Sequence, residues 1–331
     1  MVITIFAGFI YMIYSRYENA ENIYGTTSSL LIYLELSTDI VGLLIFLLSA
    51  SRSFSRKSEE WKELINCFEN LEKPEKTRKL SLSNVFNQSN STLILSSLIY
   101  CVVIYMELML NNRKLIQNLQ YYGFSLLVNY VELVQINIIS KLFICIKHKF
   151  RDINEILMKT DTDIFNVERR VEKVEKLYLV MDGLIVLMNS LFGWILLAMF
   201  FHISLMVLLA LTVPVIHNYL TKNTSTQSDT EIPFGIYSVL QVVVISIMVF
   251  CIDSATREPQ NLIKFCMNLE CNFPLRFEQN KKIQIAIDKL KALSPNFSAA
   301  DFFQITRSTL LSMISVITTY FIVMVQLHMG N

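Results

Sequence analysis

Glycine and proline are scarce in this 331-residue chain, at 8 and 6 residues. That scarcity disfavours collagen-like repeats, disordered low-complexity tracts and turn-dense all-β folds. Charge is scarce as well: Asp, Glu, Lys and Arg make up 17% of residues, against about 25% in an ordinary soluble protein. A net charge of +1 offers no concentrated basic surface, so nucleic acid is not expected as a partner. The four histidines, His148, His202, His217 and His328, are scattered, so neither a metal cluster nor a haem site finds paired ligands, and no cofactor is expected. The chain has no Gly-rich phosphate loop, no G-x-S-x-G and no H-E-x-x-H, which argues against an enzyme. The six cysteines give no expectation of a structural disulfide. Cys266 and Cys271 lack a second ligand pair, so apolar packing is the better reading for them than zinc.

Hydrophobic residues, in contrast, make up 53% of the chain, and their distribution is segmental. A helix needs about 20 apolar residues to cross about 30 Å of hydrocarbon. Ser29–Ala50, Thr92–Asn111, Asn118–Ile146, Leu184–Ile216, Pro233–Ser254 and Ile305–His328 each reach that length with few internal charges. Met1–Tyr14 is apolar but shorter; it reads as the tail of a helix whose start is missing, ahead of a secretory signal without a basic n-region. The expectation is an all-α membrane protein of seven transmembrane helices, the first one truncated.

Lysine and arginine orient the spans. Eight lie in 51–91, eight in 147–183 and seven in 255–304, against four in the segments that alternate with them (Arg16, Arg113, Lys114 and Lys222). The three rich connections are therefore expected in the cytoplasm, with the N-terminus inside and the C-terminus outside. Asn223-Thr224-Ser225 then falls in a short outer loop as a glycan acceptor pattern, though three residues match as easily by chance.

The rich connections are helical in pattern. Phe150, Ile153, Ile156 and Leu157 share one face, as do Val167, Val171, Val174 and Leu177, and Ile283, Ile287, Leu290 and Leu293 repeat the device. The membrane helices should therefore extend into the cytoplasm, packing either within one subunit or between subunits. The expected division is 1–254 as helices one to six with their extensions, 255–304 as an anchor segment, and 305–331 as the last helix.

Ionisable residues at membrane depth usually face a bundle interior or a water-filled cavity. In the fourth span Asn118, Tyr121, Tyr122, Ser125, Asn129 and Glu132 recur at intervals of three and four, which puts them on one face. With Glu35 and Asp39 of the second span, Glu107 of the third, and Tyr237 and Gln241 of the sixth, they describe an outward-facing polar recess for a small ligand, polar or cationic. The competing reading is that each residue pairs with a neighbouring helix for structure alone.

The last span holds Thr319-Tyr320, five apolar residues, then Gln326-Leu327. This resembles the TYhhhhhQF signature of the insect gustatory receptor family, with Leu327 where the family has Phe. FSAADFF at 297–303 and Phe192-Gly193-Trp194 also look like family sequence. The resemblance implies a plasma-membrane chemosensory receptor of sensory-neuron dendrites. It would be a ligand-gated, poorly selective cation channel of four like or unlike subunits, held in lipid and opened by a small tastant. It places Thr319 and Tyr320 on the pore helix and Gln326 with Leu327 at its constriction. The residues agree to this extent: Thr319, Val323 and Gln326 are spaced by four and three and share a face. An insect odorant receptor subunit shares the implied topology, and the Thr-Tyr and Gln pair favours the gustatory side. A secondary transporter would want internal repeats, and none is detectable.

Overall fold

The computed structural model describes residues 2–18, 29–54, 57–72, 115–158, 164–220, 231–272 and 296–329, with isolated positions between 94 and 105 and between 284 and 289. Its helices are α1 (Val2–Glu18), α2 (Ser29–Phe54), α3 (Lys57–Glu72), α4 (Leu115–Met158), α5 (Ile164–Leu220), α6 (Glu231–Asn272) and α7 (Arg307–Met329). A two-stranded antiparallel hairpin, β1 (Ser298–Ala299) and β2 (Phe303–Gln304), immediately precedes α7. The fold is an all-α membrane bundle. Among the described residues five helices, α2, α4, α5, α6 and α7, are long and apolar enough to cross a membrane. The seventeen-residue α1 and the helical positions between 94 and 105 fall where the first and third spans were expected.

Helix length decides how far the bundle reaches. The 57 residues of α5 and the 44 of α4 run about 85 and 66 Å at 1.5 Å per residue, more than twice the hydrocarbon thickness. The expected helical extensions are therefore continuous with their spans. Phe150, Ile153 and Val174 from the extension stripes are buried, with Phe150 and Tyr178 rings 5.3 Å apart, inside the core that also holds Met188, Leu196 and Ile245. For these residues packing within the subunit is the answer. Leu157, Val167, Val171, Ile283, Ile287, Leu290 and Leu293 have side chains outside the described set. Lys289 meets α5, its Nζ 2.6 Å from Glu175 Oε1.

Within the spans α4 packs chiefly on α6, and α2 on α5. Gly42 of α2 allows close approach, because a Cβ there would lie 3.0 Å from Val128 of α4. The hydroxyls of Thr38, Ser140, Ser204, Thr212 and Ser246 all donate to the carbonyl four residues back in their own helices. This is how a hydroxyl is satisfied in an apolar environment without a partner helix.

Candidate functional site: a polar column and a hairpin at the base of the last helix

Three residues of the α4 stripe face inward, and three other helices meet them. Ser125 Oγ donates to Asp39 Oδ1 of α2 at 2.7 Å. Seven residues further along α4, about 10 Å at helical rise, Glu132 is wholly buried, and its Oε2 lies 3.0 Å from His202 Nδ1 of α5. Gln241 Nε2 of α6 donates to the same oxygen at 3.4 Å. Asn129 sits between these two levels and is 5% exposed. The result is a polar column through the bundle to which α2, α4, α5 and α6 each contribute.

Burial of so many polar groups among apolar side chains follows from the pattern of α4. Positions 125, 129 and 132 share a face, while Val128, Leu133 and Ile136 fill the gaps with apolar volume. His202 is the residue that the sequence reading left out of the recess. The sequence showed only that it is the histidine nearest the middle of a span; the structure buries it to 3% exposure against a carboxylate that requires a partner. Glu35 is partly buried on α2. Tyr122 and Tyr237 lie on α4 and α6 with side chains outside the described set, and Glu107 and Asn223 fall outside the described residues.

The second constellation joins two motifs that are about 100 residues apart in sequence. FSAADFF forms the hairpin and Phe192-Gly193-Trp194 lies beneath it on α5. A Cβ on Gly193 would stand 2.9 Å from the Ala300 backbone nitrogen and 3.2 Å from its Cα, so glycine is what lets the turn rest on the helix. Asn189, one turn earlier, uses both ends of its amide. Its Nδ2 donates to the Asn296 carbonyl at 3.0 Å, and its Oδ1 accepts from the Ser298 N–H at 3.2 Å. Rings complete the seat: Trp194 lies 6.1 Å from Phe302, Phe200 5.6 Å from Phe303 and Phe143 4.4 Å from Phe297.

The turn itself places Ala300 and Asp301 at φ of 50° and 61°, left-handed values that suit a tight hairpin but cost a Cβ-bearing residue about 1–2 kcal/mol. Ser298 Oγ offsets part of this by donating to Asp301 Oδ1 at 2.8 Å. Three residues past the hairpin, Arg307 opens α7 with its Nε 2.8 Å from Asp253 Oδ2 of α6 and its guanidinium 5.0 Å above the Phe250 ring. Arg257 Nε reaches the same carboxylate oxygen at 2.9 Å. The base of α7 is thus tied to α5 by the hairpin and to α6 by an ion pair.

Beyond that base α7 is nearly bare. Leu310, Met313, Ile317, Phe321 and Met324 attach it to the bundle. At about 100° per residue these cluster within roughly 40° of one line, and Thr319, Val323 and Gln326 lie about 180–240° away. All three are exposed, as are Tyr320 and Leu327. The Thr319 hydroxyl donates to its own helix at the Ser315 carbonyl, 2.9 Å away.

The sequence profile of the family described as 7tm Chemosensory receptor matches residues 1–331. The chain belongs to this chemosensory receptor family. Solved structures of similar fold include the insect olfactory receptor OR5 from Machilis hrabei, at 15% identity and a TM-score of 0.51, covering 98% of this receptor and 88% of that chain. The same olfactory receptor in complex with eugenol matches at 16% identity and a TM-score of 0.51, with the same coverage. A comparison with curated protein sequences finds no match. The receptor is therefore a multi-pass membrane protein of a chemosensory family, with a bundle fold shared with a solved olfactory receptor.

Proposed function

We propose that this receptor is a gustatory receptor that acts as a ligand-gated, poorly selective cation channel, in which a small tastant binds the polar column and the last helices of four subunits surround one pore. The observation that carries the reading is the bare face of α7. A membrane helix with only 11% of its apolar stretch buried presents a hydroxyl at Thr319, a small apolar side chain at Val323 and an amide at Gln326 away from its own bundle. Around a fourfold axis these become stacked rings, with an apolar ring able to gate by dewetting and an amide ring tolerant of partly hydrated cations. The four subunits, like or unlike, sit in the plasma membrane with the charge-rich end in the cytoplasm. Residues 1–254 then supply the ligand-binding bundle, 255–304 the anchor and 305–331 the pore. OR5 of Machilis hrabei, with eugenol bound, offers a precedent for a small-molecule ligand within this fold.

Coupling follows from the ties at the base of α7. A ligand that binds better to a displaced arrangement of α5 and α6 shifts the population toward it. The hairpin on α5 and the Asp253–Arg307 pair on α6 carry that displacement to the first turn of α7. The test is whole-cell current and calcium entry in cells expressing the receptor, alone and with partner subunits, during perfusion of sugars, amino acids, amines and bitter alkaloids. Gln326→Ala is run beside wild type. A ligand-evoked current with altered selectivity or rectification in Gln326→Ala is the expected result. An evoked current that is identical in the two would move the pore off α7, and uptake of substrate without unitary conductance would indicate a carrier.

A further inference from the structure

We propose that the polar column selects ligands bearing a protonated primary amine, with the Asn129 and Glu132 side-chain oxygens as its acceptors. The inference rests on the reading of the column as the receptor's ligand site and names the chemistry of its ligand. Its ground is which buried atoms find partners. The hydroxyls of Thr38, Ser140, Ser204, Thr212 and Ser246 are satisfied within their own helices, Ser125 donates to Asp39, and Glu132 Oε2 serves both His202 and Gln241. Asn129 Oδ1 and Glu132 Oε1 are buried without a hydrogen-bond partner, on side chains 5% and 0% exposed. They sit three residues apart on α4, on neighbouring positions of one face and about 4.5 Å apart along the axis. One turn further on, the Gln135 Oε1 continues the row, also buried and unpartnered.

Every unsatisfied atom in this row is an acceptor, and that decides the complementary group. A ketone, ester or ether brings further acceptors and leaves both oxygens desolvated and unpaired, which is the costly arrangement. A hydroxyl supplies one donor and can satisfy only one of the two oxygens. A primary ammonium brings three N–H donors and no acceptor on one compact atom, and hydrogen bonds from a cation to a carboxylate are the strong kind. Its charge also meets a wholly buried carboxylate, where a neutral donor would leave the column's electrostatics unchanged. A site built to hydrogen-bond a donor discriminates sharply against analogues that lack it.

The experiment uses the receptor in lipid nanodiscs, with thermal stabilisation as the binding readout and ligand-evoked current in cells as a second. The probes are 2-phenylethylamine and hexylamine, their alcohol and methyl-ketone analogues, and the N,N,N-trimethyl derivatives, which keep the charge without N–H donors. The expected result is stabilisation by the amines at concentrations at least tenfold below the alcohols, and none by the ketones or trimethyl derivatives. Asn129→Leu is expected to weaken amine binding by about tenfold, the scale of one hydrogen bond, and Asn129→Asp, which keeps the acceptor, to preserve it. Ketones or trimethyl derivatives binding as well as amines, an Asn129→Leu receptor that binds amines unchanged, or no binding by any amine would each overturn the proposal. Amine binding with no evoked current would leave it standing and instead reject the channel reading.

Discussion

α5 and α7 are both long apolar helices of one bundle, yet 61% of the apolar stretch of α5 is buried inside the subunit against 11% for α7. The difference is one of angular distribution. Around α5, side chains meet α2, α3, α4, α6, α7 and the hairpin, and the buried His202 and the hairpin-facing Asn189 have partners. Around α7, one stripe from Leu310 to Met324 touches the bundle and the rest faces outward. A helix of the first kind holds the subunit together. A helix of the second kind depends on what lies outside the subunit, and its polar face at Thr319 and Gln326 makes bare lipid a poor companion.

The sharpest way to break the comparison is at the buried pair. His202→Leu on α5 leaves Glu132 without its nearest partner and is expected to lower stability by about 3–5 kcal/mol, the cost of orphaning one member of a buried pair. A melting curve of the purified receptor would show it, and a loss under 1 kcal/mol would mean that the carboxylate finds another partner. Gly193→Val should follow, since its Cβ would meet the hairpin backbone at 2.9 Å and overpacking costs about 1–3 kcal/mol. Here evoked current should fall further than surface expression. Asn189→Ala removes two bonds to the hairpin backbone, for about 1–3 kcal/mol, and protease sensitivity near residue 300 is the direct readout.

Smaller effects sharpen the contrast. Asp253→Asn weakens two ion pairs whose arginines are about half exposed, so the stability change should stay near 1 kcal/mol or below, while the ligand concentration for half-maximal current shifts. At the low end, Gln326→Ala on α7 should leave the melting temperature unchanged, because the side chain is exposed on the face of α7 turned away from the bundle. A stability loss there comparable to that of Asn189→Ala would mean that the outer face of α7 is structurally engaged within the subunit.

Much of the architecture was legible from periodicity. The apolar stretches at 29–50, 118–146, 184–216, 233–254 and 305–328 lie within α2, α4, α5, α6 and α7, give or take two residues at the start of α7. The continuation of α4 and α5 past the membrane was readable from Phe150, Ile153 and Val174. Residues 125, 129 and 132 could be placed on one face because helix geometry is local. What periodicity could not supply was the partner. Glu132 meets His202 across 70 residues and Gln241 across 109, and no local rule selects those residues over Lys141 or Asp253.

The two motifs at 192–194 and 297–303 show the same division. Each could be noted from sequence, and neither announces the other. The glycine at 193 has meaning only once the turn at Ala300 is seen 2.9 Å away, and the strand pairing of Ser298 with Gln304 was not expected in an all-α chain. By itself, then, the sequence determined the class, the helices and the face each polar residue occupies, because hydrophobic burial and the 100° step act residue by residue. The tertiary structure alone decided which faces meet. Those choices close the buried carboxylate on a histidine, seat the hairpin on a glycine and leave α7 bare, and each depends on pairwise geometry between segments that chain order does not bring together.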